Sequence, residues 1–267
     1  MERFLAAAVQ LNTKDDREAN VREALAWVDA ACARGARLVA LPENTDFIGA
    51  EADKIAGAED LDGPTFRAFG DKARARGIWL LAGSLAERAR PGRIHNTSVL
   101  FDPEGSPAAV YRKIHLFDVD LPDGVRYRES SIVDPGDEPV IARTPLGAIG
   151  MTVCYDLRFP ELYRALSAGG AEILAVPSAF TLQTGKDHWE VLLRARAIEN
   201  TAWVVAPAQG GRHGGGRVTY GNAMIVDPWG TVVARCSDGP GICVAELSPD
   251  VLARVRAEIP SLAHRRL

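Results

Sequence analysis

Short, almost wholly apolar runs recur along the chain between amphipathic segments, and this alternation predicts an α/β fold. Residues 3 to 11 read as a first strand, and residues 36 to 42, Ala-Arg-Leu-Val-Ala-Leu-Pro, as a second strand buried on both faces. Between them, Asp16 to Arg34 places Val21, Leu25, Val28 and Cys32 on one helical face, and Gly35 ends the helix. Pro64 to Arg76 predicts another helix, followed by a strand at 78 to 85. Residues 95 to 101 and 107 to 113 form a hairpin about the turn Asp102-Pro103-Glu104-Gly105. Strands follow at 138 to 144 and 147 to 153, then a helix from Pro160, a strand at 172 to 177, and a helix from about Lys186 to Asn200. Strands at 203 to 208, 219 to 227, 231 to 236 and 242 to 247 complete the pattern, and Ser248-Pro249-Asp250 caps a closing helix. Residues 114 to 136 show no periodicity and exceed an ordinary connector, so they are expected to wall an active site.

The two halves of the chain echo one another. Gly35-Ala36-Arg37-Leu38-Val39-Ala40-Leu41-Pro42-Glu43 returns as Gly170-Ala171-Glu172-Ile173-Leu174-Ala175-Val176-Pro177-Ser178, and the Asp102 turn returns as Asp227-Pro228-Trp229-Gly230. Two related halves of alternating helix and buried strand, each closed by a hairpin, predict two packed sheets with helices outside, in one domain over residues 1–267.

Composition narrows the classes. A net charge of −4 provides no overall attraction to nucleic acid or anionic lipid, although local basic patches are compatible with it. No run approaches the roughly 18 apolar residues that a spanning helix needs, and the first residues lack the basic start of a secretory leader. Cysteines at 32, 154, 236 and 243 form no C-x-x-C pair, which suits a reducing cytoplasm. The five histidines form no H-E-x-x-H pair, and the glycine run Gly210 to Gly216 lacks the G-K-[ST] ending of a phosphate loop. Neither a metal nor a nucleotide cofactor is implied.

Candidate chemistry centres on Cys154, at the end of the apolar run 148 to 153 and ahead of a helix that Pro160 and Glu161 start. Such a strand-to-helix turn faces the crevice where α/β sheets bind ligands, while a buried structural thiol is the plainer alternative. Glu43 ends another apolar strand and Lys113 ends the hairpin. Each alone suits an exposed charge. Together they suffice for acyl transfer through a thioester. A carboxylate whose pKa is raised by burial takes the thiol proton, Lys113 stabilises the oxyanion, and the Tyr155 N–H is a second donor.

These residues lie in segments that resemble the nitrilase superfamily of carbon–nitrogen hydrolases: Leu41-Pro42-Glu43, Tyr111-Arg112-Lys113-Ile114-His115-Leu116-Phe117-Asp118, and Gly150 to Glu161 with Cys154-Tyr155-Asp156 at its centre. The resemblance implies a four-layer αββα sandwich that dimerises, a Glu43–Lys113–Cys154 triad, and Glu129 as a further glutamate that positions the lysine and substrate. Tyr155-Asp156 is similar to the amidase branches. The helix through His188-Trp189, Gln209-Gly210-Gly211-Arg212-His213 and the segment Tyr220 to Arg235 resemble the deaminated glutathione amidase group. An omega-amidase acting on short ω-amides and an N-carbamoyl hydrolase are the enzyme alternatives, and a catalytically silent dimeric protein the non-enzyme one. Two departures stand out: Thr45, which bears on the pocket wall, and Lys186-Asp187. The implied partner is a small-molecule amide, with no nucleic acid and no membrane. A substrate with a carboxylate at each end calls for two cationic positions. Arg212 assisted by His213 is the candidate for one, with Arg126 and Arg128 also available. A homodimer is expected through the helices after Pro160 and Lys186, whose apolar stripes predict an exposed patch.

Overall fold

Alternate residues of the first strand belong to different cores, and this division organises the molecule. The structure is a computed structural model that describes residues 1–120 and 126–266, so the loop expected at 114 to 136 lies partly outside the described residues. In chain order it runs β1 (Phe4–Leu11), α1 (Arg17–Ala33), β2 (Ala36–Ala40), α2 (Glu51–Ala56), α3 (Pro64–Arg76), β3 (Trp79–Leu81), β4 (Leu85–Arg88), β5 (Ile94–Phe101) and β6 (Pro107–Arg112). Next come β7 (Asp118–Asp120), β8 (Arg126–Arg128), β9 (Val140–Thr144), β10 (Gly147–Met151), α4 (Pro160–Ala168), β11 (Ile173–Ala175) and α5 (Leu182–Asn200). The chain finishes with β12 (Trp203–Ala206), β13 (Ala208–Arg212), β14 (Val218–Tyr220), β15 (Met224–Val226), β16 (Val232–Arg235), β17 (Gly241–Leu247) and α6 (Pro249–Glu258).

Ala7, Val9, Val39 and Leu41 point to a core shared with Val28 of α1 and Phe66 and Phe69 of α3. Ala6, Ala8, Leu38 and Ala40, one residue out of phase, point to a core shared with Ile149, Met151, Leu174 and Val205 of a second sheet. Leu162 and Leu166 of α4 and Trp189, Leu193 and Ala197 of α5 join that second core. The result is the αββα sandwich.

The repeat in sequence is a repeat in topology. In the nine-stranded sheet β1 and β2 pair in parallel, β2 and β3 in parallel, and β3–β5 and β5–β6 antiparallel. In the six-stranded sheet β10–β11, β11–β12, β12–β15 and β15–β16 reproduce the same series. The two D-P-x-G turns also match bond for bond, because Asp102 Oδ1 accepts from Glu104 and Ser106 N–H and Asp227 Oδ1 from Trp229 and Thr231 N–H.

The departures from the expected elements have local causes. Pro207 interrupts the run at 203 to 208, so β12 stays in one sheet while β13 crosses to pair with β1 of the other. Gly221 and Asn222, both with positive φ, likewise split 219 to 227 into strands of different sheets. Gly83 breaks the run at 78 to 85: its φ is +70°, and a Cβ there would lie 1.9 Å from the Pro42 carbonyl oxygen. Thr181 caps α5, which starts at Leu182, four residues before Lys186, and its hydroxyl accepts from Thr184 N–H. The short helix α2 and the ribbon β7–β8 form where only loop was expected. The stripes of α4 and α5 expected at a dimer surface are core, and exposed apolar side chains lie elsewhere on α5, at Val191 and Ile198. Among the described residues no helix is long and apolar enough to cross a membrane.

Gly83→Ala combines a left-handed backbone with a collision against main chain, so it is expected to lower unfolding free energy by at least about 2 kcal/mol. Gly92→Ala shares a positive φ, +75°, but meets open space, so its expected cost is about 1 kcal/mol. Urea midpoints of the two variants check this. Equal midpoints would mean that backbone conformation alone, without the close approach, selects glycine at Gly83.

Candidate active site

The second strand of each half ends in a turn held from several sides. After β2, Thr45 is wholly buried and its hydroxyl donates to the Pro42 and Ala82 carbonyls. It fixes the corner and does not line the cavity, contrary to the expectation that it shapes the pocket wall. Asn44 adopts φ +54°, and its N–H donates to Ser84 Oγ at 3.1 Å. From the second half, the buried Gln209 amide donates to the carbonyls of Glu43 and Asn44 and to Thr13 Oγ1. The Glu43 side chain therefore leaves a corner built by both halves.

Lys113 follows β6, and its N–H donates to the Asn96 carbonyl at 2.9 Å. Its ammonium, 1% exposed, donates to Glu43 Oε1 at 2.9 Å and to Glu129 Oε2 at 2.8 Å. Asn96 Nδ2 bridges the same two carboxylates at 3.0 and 3.1 Å. Glu43 Oε2 accepts from Ala179 N–H at 3.0 Å, and Glu129 Oε2 from Phe117 N–H at 2.7 Å. Lone buried charges are costly, and here each is paired and further hydrogen bonded.

Cys154 follows β10 with φ +50°, a strained value for a non-glycine residue. Its N–H donates to the Pro177 carbonyl at 2.9 Å, and a 3-10 turn over Cys154–Arg158 precedes α4. The buried Asp156 carboxylate holds that turn. It accepts from Val153 N–H at 2.8 Å, Tyr111 Oη at 2.7 Å, and His115 N and Nδ1 at 3.0 and 2.8 Å. Because Tyr111 and His115 flank Lys113, one carboxylate ties the lysine segment to the cysteine turn.

The electrostatics correct one expectation. Burial does oppose ionisation of Glu43, but the charges of Lys113 and Arg217 and the hydrogen bond from Cys154 outweigh it, so the carboxyl is held well below its usual range. For Lys113, burial is outweighed by Glu129, Glu43 and Cys154, which hold the ammonium well above its usual value. Burial and the neighbouring Glu43 raise the Cys154 thiol well above its usual range, against the opposing pull of Lys113. At neutral pH the trio is a thiol, a carboxylate and an ammonium.

Glu43, Lys113, Glu129 and Cys154 open onto one cavity of about 270 Å³, together with Tyr155, whose ring packs edge-on against Phe117 and Phe159. Arg212 does not reach it: the side chain is exposed. His213 is a cross-link, with Nδ1 donating to the Thr13 carbonyl at 2.7 Å and Nε2 accepting from Thr219 Oγ1 at 2.5 Å. Burial, reinforced by Arg217 and Lys14 and resisted by the Thr13 hydrogen bond, takes its pKa down to about 4, so it is neutral at pH 7. Arg217, five residues beyond Arg212 along the same loop, faces the cavity instead, as do Lys54, Arg126, Arg128 and Arg158. Lys54 had no signal in the chain, because the helix that carries it has six residues and no buried position. Among the described residues no group of three His, Cys, Asp or Glu side chains is placed to hold a metal ion.

Comparison with known proteins agrees with this geometry. The sequence profile of the carbon-nitrogen hydrolase family matches residues 5–257. The chain is 46% identical over 269 residues to the deaminated glutathione amidase of Synechocystis sp., covering 99% of each. Its fold is similar to that of Saccharomyces cerevisiae Nit3, a member of branch 10 of the nitrilase superfamily, with a TM-score of 0.89 at 30% identity over 100% of this chain and 97% of that one. It is also similar to a mutant of the amidase from Nesterenkonia sp. AN1, with a TM-score of 0.80 at 28% identity over 96% and 98% of the two chains. In that mutant enzyme acrylamide has added at the active site cysteine. A sandwich of this topology, with Glu43, Lys113 and Cys154 at one cavity, in a chain matched almost end to end, belongs to the carbon–nitrogen hydrolases of the nitrilase superfamily.

Proposed function

We propose that the protein is an amidase that cleaves deaminated glutathione through a Cys154 thioester. The observation that carries this reading is the buried ion cluster of Glu43, Lys113 and Glu129, which lines one cavity with Cys154. Cys154 Sγ attacks the amide carbonyl as its proton passes to Glu43, which is already ionised and lines the same cavity. Lys113 and the Tyr155 N–H receive the oxyanion, the latter because the first N–H groups of a helical turn lack intrahelical partners. Collapse breaks the C–N bond, Glu43 returns the proton to the departing amine, and the acyl group remains on sulfur. Water then gives its proton to Glu43 and its oxygen to the thioester, and the acid leaves as the thiol re-forms. Glu129 positions Lys113.

The substrate assignment draws on the Synechocystis relative and on the sign of the cavity. Deaminated glutathione carries two carboxylates, and Arg217 has its Nη2 on the Ala179 carbonyl, its plane against Tyr127, and a buried Nε without a partner among the described residues. Arg217 thus takes the carboxylate-binding role that the sequence suggested for Arg212 and His213. The shared core between the sheets supports one domain over the chain. Four unpaired cysteines suit a cytoplasmic setting. For a homodimer the face of choice is the outer side of α5, where Val191 is 66% and Ile198 49% exposed beside Trp229. Gly230, which follows that tryptophan in the chain, lies against Ile198.

Intact-mass spectra after brief exposure to substrate should show an acyl adduct on wild type and none on Cys154→Ala. Glu43→Gln and Lys113→Ala should each lower kcat at least about a hundredfold with the fold intact. An adduct that survives loss of Cys154 would remove the nucleophile.

Arg217→Ala should lower kcat/KM on deaminated glutathione at least about tenfold, or about 1.4 kcal/mol of charged hydrogen bonding. Arg212→Ala should change it less than about twofold, as for an exposed side chain. The reverse order would restore Arg212.

Val191→Glu should shift wild-type dimers to monomers in analytical ultracentrifugation at micromolar protein. A wild type that sediments as an active monomer would refute the interface.

A further inference from the structure

Lys54 lies on α2, and the structure gives its ammonium a fixed place with little to do. Its Nζ donates to Asn44 Oδ1 at 2.7 Å. Asn44 is itself held at the Glu43 corner by Ser84 and Gln209. An ammonium carries three donors, and no carboxylate among the described residues comes within ion-pair distance of this one. Burial lowers its pKa; Glu129, Glu43 and Asp46 pull the other way, while Arg217 adds to the lowering.

The charges around the cavity show why this lysine calls for a ligand. The two inner carboxylates, Glu43 and Glu129, are balanced by Lys113, which touches both, and by Arg217, whose field reaches Glu43. Asp46 is paired with Arg17 at 3.0 Å. Arg126 and Arg128 are paired with Asp120. Arg158, also on the wall, lies over the Tyr155 and Phe180 rings, whereas the half-buried Lys54 has one hydrogen-bond acceptor, no carboxylate partner among the described residues, and donors to spare for an anion.

We propose that Lys54 anchors one carboxylate of the substrate and selects amides that carry it over uncharged amides. This rests on the reading of the cavity as an amidase site. The carboxylate belongs either to the acyl part or to the leaving amine, and both present the same chemistry to an ammonium.

Steady-state kinetics on deaminated glutathione, α-ketoglutaramate and butyramide test the proposal with Lys54→Gln, which removes the charge and keeps a donor for Asn44, and with Lys54→Arg, which keeps the charge. Lys54→Gln should lower kcat/KM on deaminated glutathione at least about tenfold relative to butyramide, chiefly through KM, and Lys54→Arg should restore most of it. A parallel loss on α-ketoglutaramate assigns the acyl carboxylate, and a loss confined to deaminated glutathione assigns the leaving-group carboxylate. Equal losses on all three substrates would make Lys54 a support for the Asn44 corner and overturn the proposal, as would no loss on either charged substrate. A wild type that turns over none of the three would overturn the amidase reading as well.

Discussion

A lysine ammonium buried between two carboxylates is the constraint on which the rest of this structure depends. Lys113 is 1% exposed and has Glu43 on one side and Glu129 on the other. Removing three charges from water is favourable only if their geometry is held closely. The cluster therefore needs Asn96 and the N–H groups of Phe117 and Ala179, which come from separate elements. Satisfying the cluster and assembling the site are the same act. The ion pairs also set the resting protonation, holding the Glu43 carboxyl low in spite of burial while the Cys154 thiol is raised.

Two halves of one design meet at this point, and neither completes it alone. The first half contributes Glu43, Lys113 and Glu129, while the second contributes Cys154, the Ala179 N–H and the Gln209 clamp. The switch at Pro207 carries β13 out of its own sheet and into register with β1. Asp156 repeats the logic on the other flank by joining Tyr111 and His115 to the cysteine turn. The strained φ of Cys154 is sustained by these ties, and it projects the thiol from the end of a strand into the cavity.

Outside the ion cluster the cavity is cationic, with Lys54, Arg158 and Arg217 on its wall and aromatic rings beside them. On the proposed reading the inner cluster performs the chemistry common to amides, and the outer cations discriminate among them. The two sets come from different parts of the chain. The outer one lies on α2, on the 3-10 turn after Cys154 and on the glycine-rich loop, outside the regular strands.

By itself the sequence determined the order of the main helices and strands, though not α2 or the β7–β8 ribbon, the doubled topology, and Glu43, Lys113 and Cys154 as one set, while Glu129 entered only through the family resemblance. Buried strands write themselves as unbroken apolar runs, and charged residues at their ends form motifs readable without coordinates. It also marked the glycine-rich loop as a candidate source of cations for the substrate. Only the tertiary structure decided that Arg217 and not Arg212 faces the cavity, because five residues on a bent ribbon reverse the direction of a side chain in a way that spacing does not encode. It likewise decided that His213 is a neutral cross-link between Thr13 and Thr219, that Thr45 is a corner brace, and that Glu43 is ionised. Each of these outcomes depends on partners from distant parts of the chain. Burial and charge pairing act through space, and their balance exists only once the two halves have closed on each other.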